Sequence, residues 1–262
     1  MSMIQMTSLG QPGAGRFGNQ LFQAAFLLGF AERHGCVCQL PENWIGRKIF
    51  KITNPPISIG YQPLPMEHIP QIVPDAAVFN FQGYYQYQDA LNYYSVAQVM
   101  KWFEFQDWVT EMFPKPEIPY FAVHIRHGDY LKLQHCFCIP SQTSYEDILN
   151  RTYGTLKQQL SFNMPLKIVT EETAIINPEL EKQGLGFLPD FMTLYRSSML
   201  IRSNSTFSWW ASALSDKQNK TWSPLVENKV GVQDVSFIKG NHPRMADQSN
   251  HPGSRLTDLH LN

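Results

Sequence analysis

The sequence predicts an α/β protein made of two consecutive α/β halves, 1–116 and 117–262. Three observations predict this class. Apolar runs of strand length at 3–9, Val37–Leu40, Ala77–Gln82, Phe121–Arg126, Leu166–Thr170 and Met199–Arg202 are separated by stretches of helical periodicity. The first run leads through a glycine-rich turn into a helix and on to the next strand, the order of an α/β unit. Between the halves, Pro114, Pro116 and Pro119 form a stiff connection with few apolar residues.

The elements follow in order. After the strand at 3–9 comes the turn Gly13-Ala-Gly-Arg-Phe-Gly18, and Asn19 opens a helix through Ala31. Its residues are apolar nearly all round, so burial on both sides is expected. Gly35 ends it, and Val37–Leu40 is the second strand. From Pro41 to Pro74 the chain is proline-rich and poorly periodic, which predicts loops and short strands. Ala77–Gln82 is a strand leading into Gly83-Tyr-Tyr-Gln86, and a helical pattern covers Asp89–Phe103. In the second half, Phe121–Arg126 is a strand, and Thr143-Ser-Tyr-Glu146 has the spacing of a capping box for a helix to about Leu160. Leu166–Thr170 is a strand, Pro178–Gln183 and Phe191–Ser197 are short helices, Met199–Arg202 is a strand, and Ser205–Leu214 is the last helix.

Composition narrows the function. Charged residues are 16% and the formal net charge is -1, so no global basic field gathers nucleic acid. Hydrophobic content of 43% excludes a disordered chain, and aromatic content of 13% points first to an aromatic core. No secretory signal precedes the first strand, and no apolar run reaches the roughly 20 residues of a membrane span. The expected location is cytoplasmic, compatible with peripheral work at a membrane surface; on that reading the sequons at Asn150, Asn204 and Asn219 are not glycosylated. The cysteines form two C-x-C pairs, Cys36/Cys38 and Cys136/Cys138, tighter than common zinc spacing and better suited to buried thiols on one strand face. His135 beside Cys136 leaves a metal site open.

Three segments carry chemistry. Gly13, Gly15 and Gly18 match a dinucleotide-binding turn, G-x-G-x-x-G, but no acidic residue closes the second strand near Leu40. Asn19 and Gln20 place two amides at the helix start. An NAD(P)-binding oxidoreductase and a plain tight turn are both alternatives to a ligand-facing loop here. In His124-Ile-Arg-His-Gly-Asp-Tyr130, alternation sets His124 and Arg126 on one face at the carboxyl end of a strand, where open α/β sheets bind ligands. The Arg126 fork suits phosphate oxygens, and the alternative is a structural Arg126–Asp129 ion pair. In Ser203-Asn-Ser-Thr-Phe-Ser-Trp-Trp210, hydroxyls and unpaired N–H groups at a helix start make an anion site, while Trp209 and Trp210 suit the core. Asp190 is either a helix cap or an acceptor for a base edge. With no D-x-D pair to hold a divalent ion, a leaving diphosphate would be stabilised by Arg126 and helix-end N–H groups, without a metal.

These segments resemble the α-1,2-fucosyltransferase family of glycosyltransferases, and more distantly the α-1,6- and protein O-fucosyltransferases. The resemblance covers most of the chain and rests on four stretches in the family's order. They are Gly15-Arg-Phe-Gly-Asn-Gln-Leu-Phe-Gln23, Phe81-Gln-Gly-Tyr-Tyr-Gln86, His124–Tyr130, and Asp190-Phe through Ser203–Trp210. It implies a GT-B-like architecture, two Rossmann-like domains facing across a cleft, the first on the acceptor side and the second binding the nucleotide sugar. It also implies an inverting, metal-independent transfer of L-fucose from GDP-fucose to a hydroxyl of an oligosaccharide, with no cofactor besides that donor. Carried over by position, Arg126 holds the β-phosphate, His124 and Asp190 the guanine, and Asn204, Ser205, Thr206 and Phe207 line the diphosphate. Gly15, Gly18, Asn19 and Gln20 approach the donor from the facing domain.

One departure stands out: His127 takes the place of the second of two adjacent arginines. It opens the alternative of another GDP-6-deoxysugar donor. The acceptor hydroxyl needs a base as the glycosidic bond to phosphate breaks; Asp129 is the first candidate and His127 the second. A nucleotide- or sugar-binding protein without catalysis is the non-enzymatic alternative.

Overall fold

The computed structural model describes residues 1–64, 69–71, 73–128, 130, 145–146, 149–154, 164–171, 174–215, 221–225 and 255–257. The chain divides into two compact units, Met1–Met112 and Phe113–Asn262, at the start of the Pro114–Pro119 stretch.

In the first unit β1 (Met3–Gln5) lies between β2 (Val37–Gln39) and β3 (Val78–Asn80), and both pairings are parallel. Strand β1 is shorter than the 3–9 run because the chain turns at Thr7–Gly10. Helix α1 (Phe17–His34) crosses between β1 and β2. Thirteen of its 18 residues are buried, as the all-round apolar pattern predicts. It starts two residues before Asn19 and ends where Gly35 turns into the left-handed region at φ 63°, donating its N–H to the Ala31 carbonyl. Aromatic packing fixes its position. Phe26 stacks on Tyr85 at 3.9 Å and meets Phe81 edge-on at 5.3 Å. The short helices α2 (Gly46–Ile49), α3 (Gln88–Leu91), α4 (Val96–Trp102) and α5 (Asp107–Met112) complete the unit. One helix was expected across 89–103. The chain instead breaks after Leu91 and restarts at a Ser95–Gln98 capping box, because that reciprocal pair favours a new helix start over continuation.

In the second unit the strand order is β5–β4–β6–β7–β8, from Leu166–Val169, Phe121–His124, Met199–Ile201, Thr221–Leu225 and Arg255–Thr257. The first four run parallel, and β8 is antiparallel to β7. Strand β4 is buried at every position, as a central strand should be. On one face Phe121, Val123, Met199 and Ile201 pack with Tyr145. Helices α6 (Pro178–Lys182), α7 (Leu188–Arg196) and α8 (Thr206–Ala213) follow the strands. Trp209 and Trp210 are both core, meeting edge-on at 4.8 Å. Of the helix expected from Thr143 to Leu160, the described part includes a π-helical turn, Asn150–Gly154; Thr143 and Ser144 lie outside the described residues. Cys38 is buried and Cys36 half-buried, with burial raising the Cys38 thiol to about 12, so the first pair behaves as packing. Cys136, Cys138 and His135 lie outside the described residues.

Both sheets reverse direction in the same way. The connection from β1 leads to β2 on one side, while β3 adds on the other. Likewise β4 is followed by β5 on one side and by β6 on the other. Such a reversal opens a crevice at the carboxyl ends of the two adjacent strands, because their connections leave to opposite sides. In each unit two of the sequence motifs follow those two strands.

Candidate functional site

In the second unit the two motifs after β4 and β6 touch. His124, the last residue of β4, has its Nδ1 2.6 Å from Ser203 Oγ, just beyond β6. Burial, and then the charge of Arg126, push the His124 imidazole down to about 3, so it is neutral near pH 7. Its ring lies 5.8 Å from that of Phe207, which also meets Phe191 at 5.3 Å and Phe187 at 6.4 Å. Phe207 thereby ties β4, α7 and α8 together at the reversal.

Ser205 is the N-cap of α8, its Oγ accepting the Phe207 N–H at 3.3 Å. Ser208 is buried and turns back on the same bend, reaching the Ser205 carbonyl at 3.3 Å. Ser203, Asn204 and Ser205 are buried, and Thr206 and Phe207 are half-buried. The first turn of α8 therefore presents its N–H groups and positive end from a polar, mostly dry bend.

Asp190 is not the helix cap. It sits in the first turn of α7, after Leu188 and Pro189, and its Oδ1 accepts the Ile175 N–H at 3.3 Å. Burial raises its pKa, and that N–H bond partly offsets the rise. Its neighbour Phe191 packs on Phe207.

Arg126 has a partner that the sequence reading did not name. Its guanidinium pairs with Glu171, just past β5, and lies over the Tyr130 ring at 4.9 Å. The other Glu171 oxygen accepts the His127 N–H at 3.3 Å. Gly128 has φ +34°, and a Cβ there would stand 2.7 Å from that carboxylate. The positive φ favours glycine here, and the missing Cβ leaves room for the carboxylate. The bend 126–128 is an anion cradle that an internal carboxylate occupies. Sequence reasoning missed Glu171; an acidic residue directly after an apolar strand was the available signal. Asp129 lies outside the described residues. Among the described residues no three His, Cys, Asp or Glu side chains converge on a metal-sized space.

In the first unit the two motifs again interlock. Gly13 and Gly15 both have φ +88°, and a Cβ on Gly15 would meet Asn19 and Tyr84 within 3.0 Å. Tyr84 donates to the Gly13 carbonyl at 3.1 Å, and Gln86 donates to Asn19 Oδ1 at 2.9 Å. Gln20 donates to the Gly15 carbonyl and accepts the Trp44 indole N–H, each at 3.1 Å. Gly18 is buried inside α1. Of the two amides expected to face a ligand, Gln20 holds the turn itself and Asn19 is held by Gln86. Strand β2 ends on Gln39, with no carboxylate there for a ribose.

No family model matches the chain, and no curated protein matches it in sequence. Solved structures do match. The fucosyltransferase NodZ from Bradyrhizobium aligns with a TM-score of 0.50 at 13% identity, covering 98% of each chain. NodZ α-1,6-fucosyltransferase soaked with GDP-fucose aligns at 0.48 with 12% identity, again over 98% of each chain. At such identity the likeness is one of fold. Two mostly parallel α/β sheets in series fit a GT-B-like glycosyltransferase fold.

Proposed function

We propose that the chain is a glycosyltransferase that moves L-fucose from GDP-fucose to a hydroxyl of an oligosaccharide, inverting and without a metal ion. The observation that carries this reading is the convergence of the 124–128 and 203–208 segments at the reversal of the second sheet, sealed by the His124–Ser203 contact. There a neutral imidazole meets the first turn of α8, with Arg126 two residues beyond that imidazole and Asp190 in the first turn of α7. An imidazole and a carboxylate suit a guanine edge, and a guanidinium and a helix N-terminus suit a diphosphate. The fold shared with a solved fucosyltransferase supports the same reading.

In this mechanism the second unit binds the nucleotide. His124 and Asp190 meet the guanine edge, and Asn204, Ser205, Thr206 and Phe207 line the diphosphate. As the sugar–phosphate bond breaks, charge on the departing GDP is met by Arg126 and by the N–H groups at the start of α8. Asp129 takes the proton from the acceptor hydroxyl, with His127 the second candidate. The first unit is the acceptor side, and the resemblance gives Gly15, Gly18, Asn19 and Gln20 of its glycine turn to the donor. The α-1,2 linkage follows from the resemblance of the four motifs.

The test is direct. Purified protein is incubated with GDP-fucose and a panel of galactosides, GDP release is followed, and product linkage is determined. Fucosylation at a 2-hydroxyl supports the full reading. Turnover only with another GDP-6-deoxysugar changes the donor. Tight GDP binding with no turnover of any donor reduces the chain to a binding protein.

A further inference from the structure

Four residues, Arg202–Ser205, join the central strand β6 to α8, and all four are buried, at 3%, 3%, 2% and 7% exposure. The two serines have partners within the fold: Ser203 at His124, and Ser205 at the Phe207 N–H. Arg202 does not. Its Nε is buried without an acceptor, and among the described residues no carboxylate faces it. Other arginines of the chain are treated differently. Arg47 donates to three carbonyls, those of Leu40, Pro41 and Asn54. Arg196 reaches the Phe113 carbonyl, and Arg126 has Glu171. Each of these is less buried than Arg202.

An unpaired guanidinium is among the most costly groups to bury. Burial alone lowers Arg202 to about 9, which leaves it charged at neutral pH. Its natural complement is planar, anionic and rich in oxygens, which describes phosphate. The same bend ends at the positive start of α8, where a second source of positive field adds to it. Meanwhile the nearby cradle at 126–128 already holds the Glu171 carboxylate.

We propose that Arg202 is a diphosphate-binding residue, the cation whose missing counter-charge is supplied by the bound nucleotide. This rests on the nucleotide-diphosphate reading of the same site and adds a residue to it. With His127 following Arg126, Arg202 gives the site its second guanidinium from the strand next door.

Wild type, Arg202→Met and Arg202→Lys are compared by thermal shift and by titration with GDP, inorganic pyrophosphate and guanosine. The ligand-free methionine variant should melt no lower than wild type, because an unpaired charge has left the interior. Its Kd for GDP and for pyrophosphate should rise about 10- to 100-fold, the loss of a charge-assisted contact. Guanosine, which has no phosphate, should bind unchanged, and lysine should restore part of the pyrophosphate affinity. Full GDP and pyrophosphate affinity in Arg202→Met overturns the proposal, as does an equal loss for guanosine. Should the methionine variant fail to fold, Arg202→Lys decides: it must weaken GDP and pyrophosphate while sparing guanosine. If wild type binds pyrophosphate through Arg202 but not GDP, the nucleotide-sugar reading fails and the anion site stands. If it binds neither, both fall.

Discussion

At residue scale the site is governed by who holds each charge. Arg126 is engaged by Glu171, so any anion entering the 126–128 cradle must displace a carboxylate that is already bound. Glu171→Gln should therefore tighten GDP binding by about 3- to 10-fold, since the competing internal anion is gone. Isothermal titration checks this, and a weaker GDP complex would instead mean that Glu171 aims the guanidinium at the ligand. Arg126→Ala should lower kcat/KM by about 100-fold or more, in line with removal of one group that stabilises transition-state charge. Its melting temperature should shift little, because the pair is partly solvated and such pairs contribute modestly. His124 sets a pH dependence whose sign follows from its depressed pKa. Between its ordinary 6.5 and about 3 the unfolded chain binds a proton that the fold refuses, so stability is present above that window and lost as pH falls through it. The slope is up to ~1.4 kcal/mol per pH unit. Denaturant melts from pH 7 to pH 4 should show this slope, and His124→Gln should flatten it.

At the scale of elements, the strands carry more polarity than their lengths suggest. Gln5, Gln39 and Asn80 stand in register across β2–β1–β3, and all three are buried. Asn80 is satisfied by Thr7 and the Tyr61 carbonyl, whereas both amide atoms of Gln5 lack a partner. A buried amide without partners costs about 1–3 kcal/mol. Gln5→Met, which keeps the volume and removes the polar atoms, should raise the melting temperature by a few degrees. A fall on calorimetry would show that the amide has a partner in solution. Helix α8 illustrates how an element serves two ends: its first turn is polar and faces the reversal, while Trp209 and Trp210 anchor it in the core. The tryptophan pair was legible as core from its apolar character. The short helix α5 was not, since Asp107–Met112 holds one buried apolar residue, Val109, and gives no periodic stripe.

For the whole molecule, two units with separate sheets predict separable responses to ligands. GDP should slow amide exchange at 124–128 and 203–208 in the second unit more than at the 13–20 turn of the first. Hydrogen-exchange mass spectrometry reads both, and dominant protection in the first unit would reverse the assignment of roles. The order of the first six strands, the helices α1, α6, α7 and α8, and the places of the motifs at strand ends could be read from the chain itself, because period, turn glycines and caps are local properties. Two things needed the folded chain. Strand order brought His124 to Ser203 across 79 residues, and no pattern along the sequence encodes which strand lies beside which. Partnership was also decided in three dimensions: Arg126 went to Glu171 just past the neighbouring strand, Gln20 went to its own turn, Asn19 went to Gln86, and Arg202 Nε was left buried with no acceptor among the described residues. A residue type states what a group can bind, whereas packing decides which of those offers are taken up and which remain for a ligand.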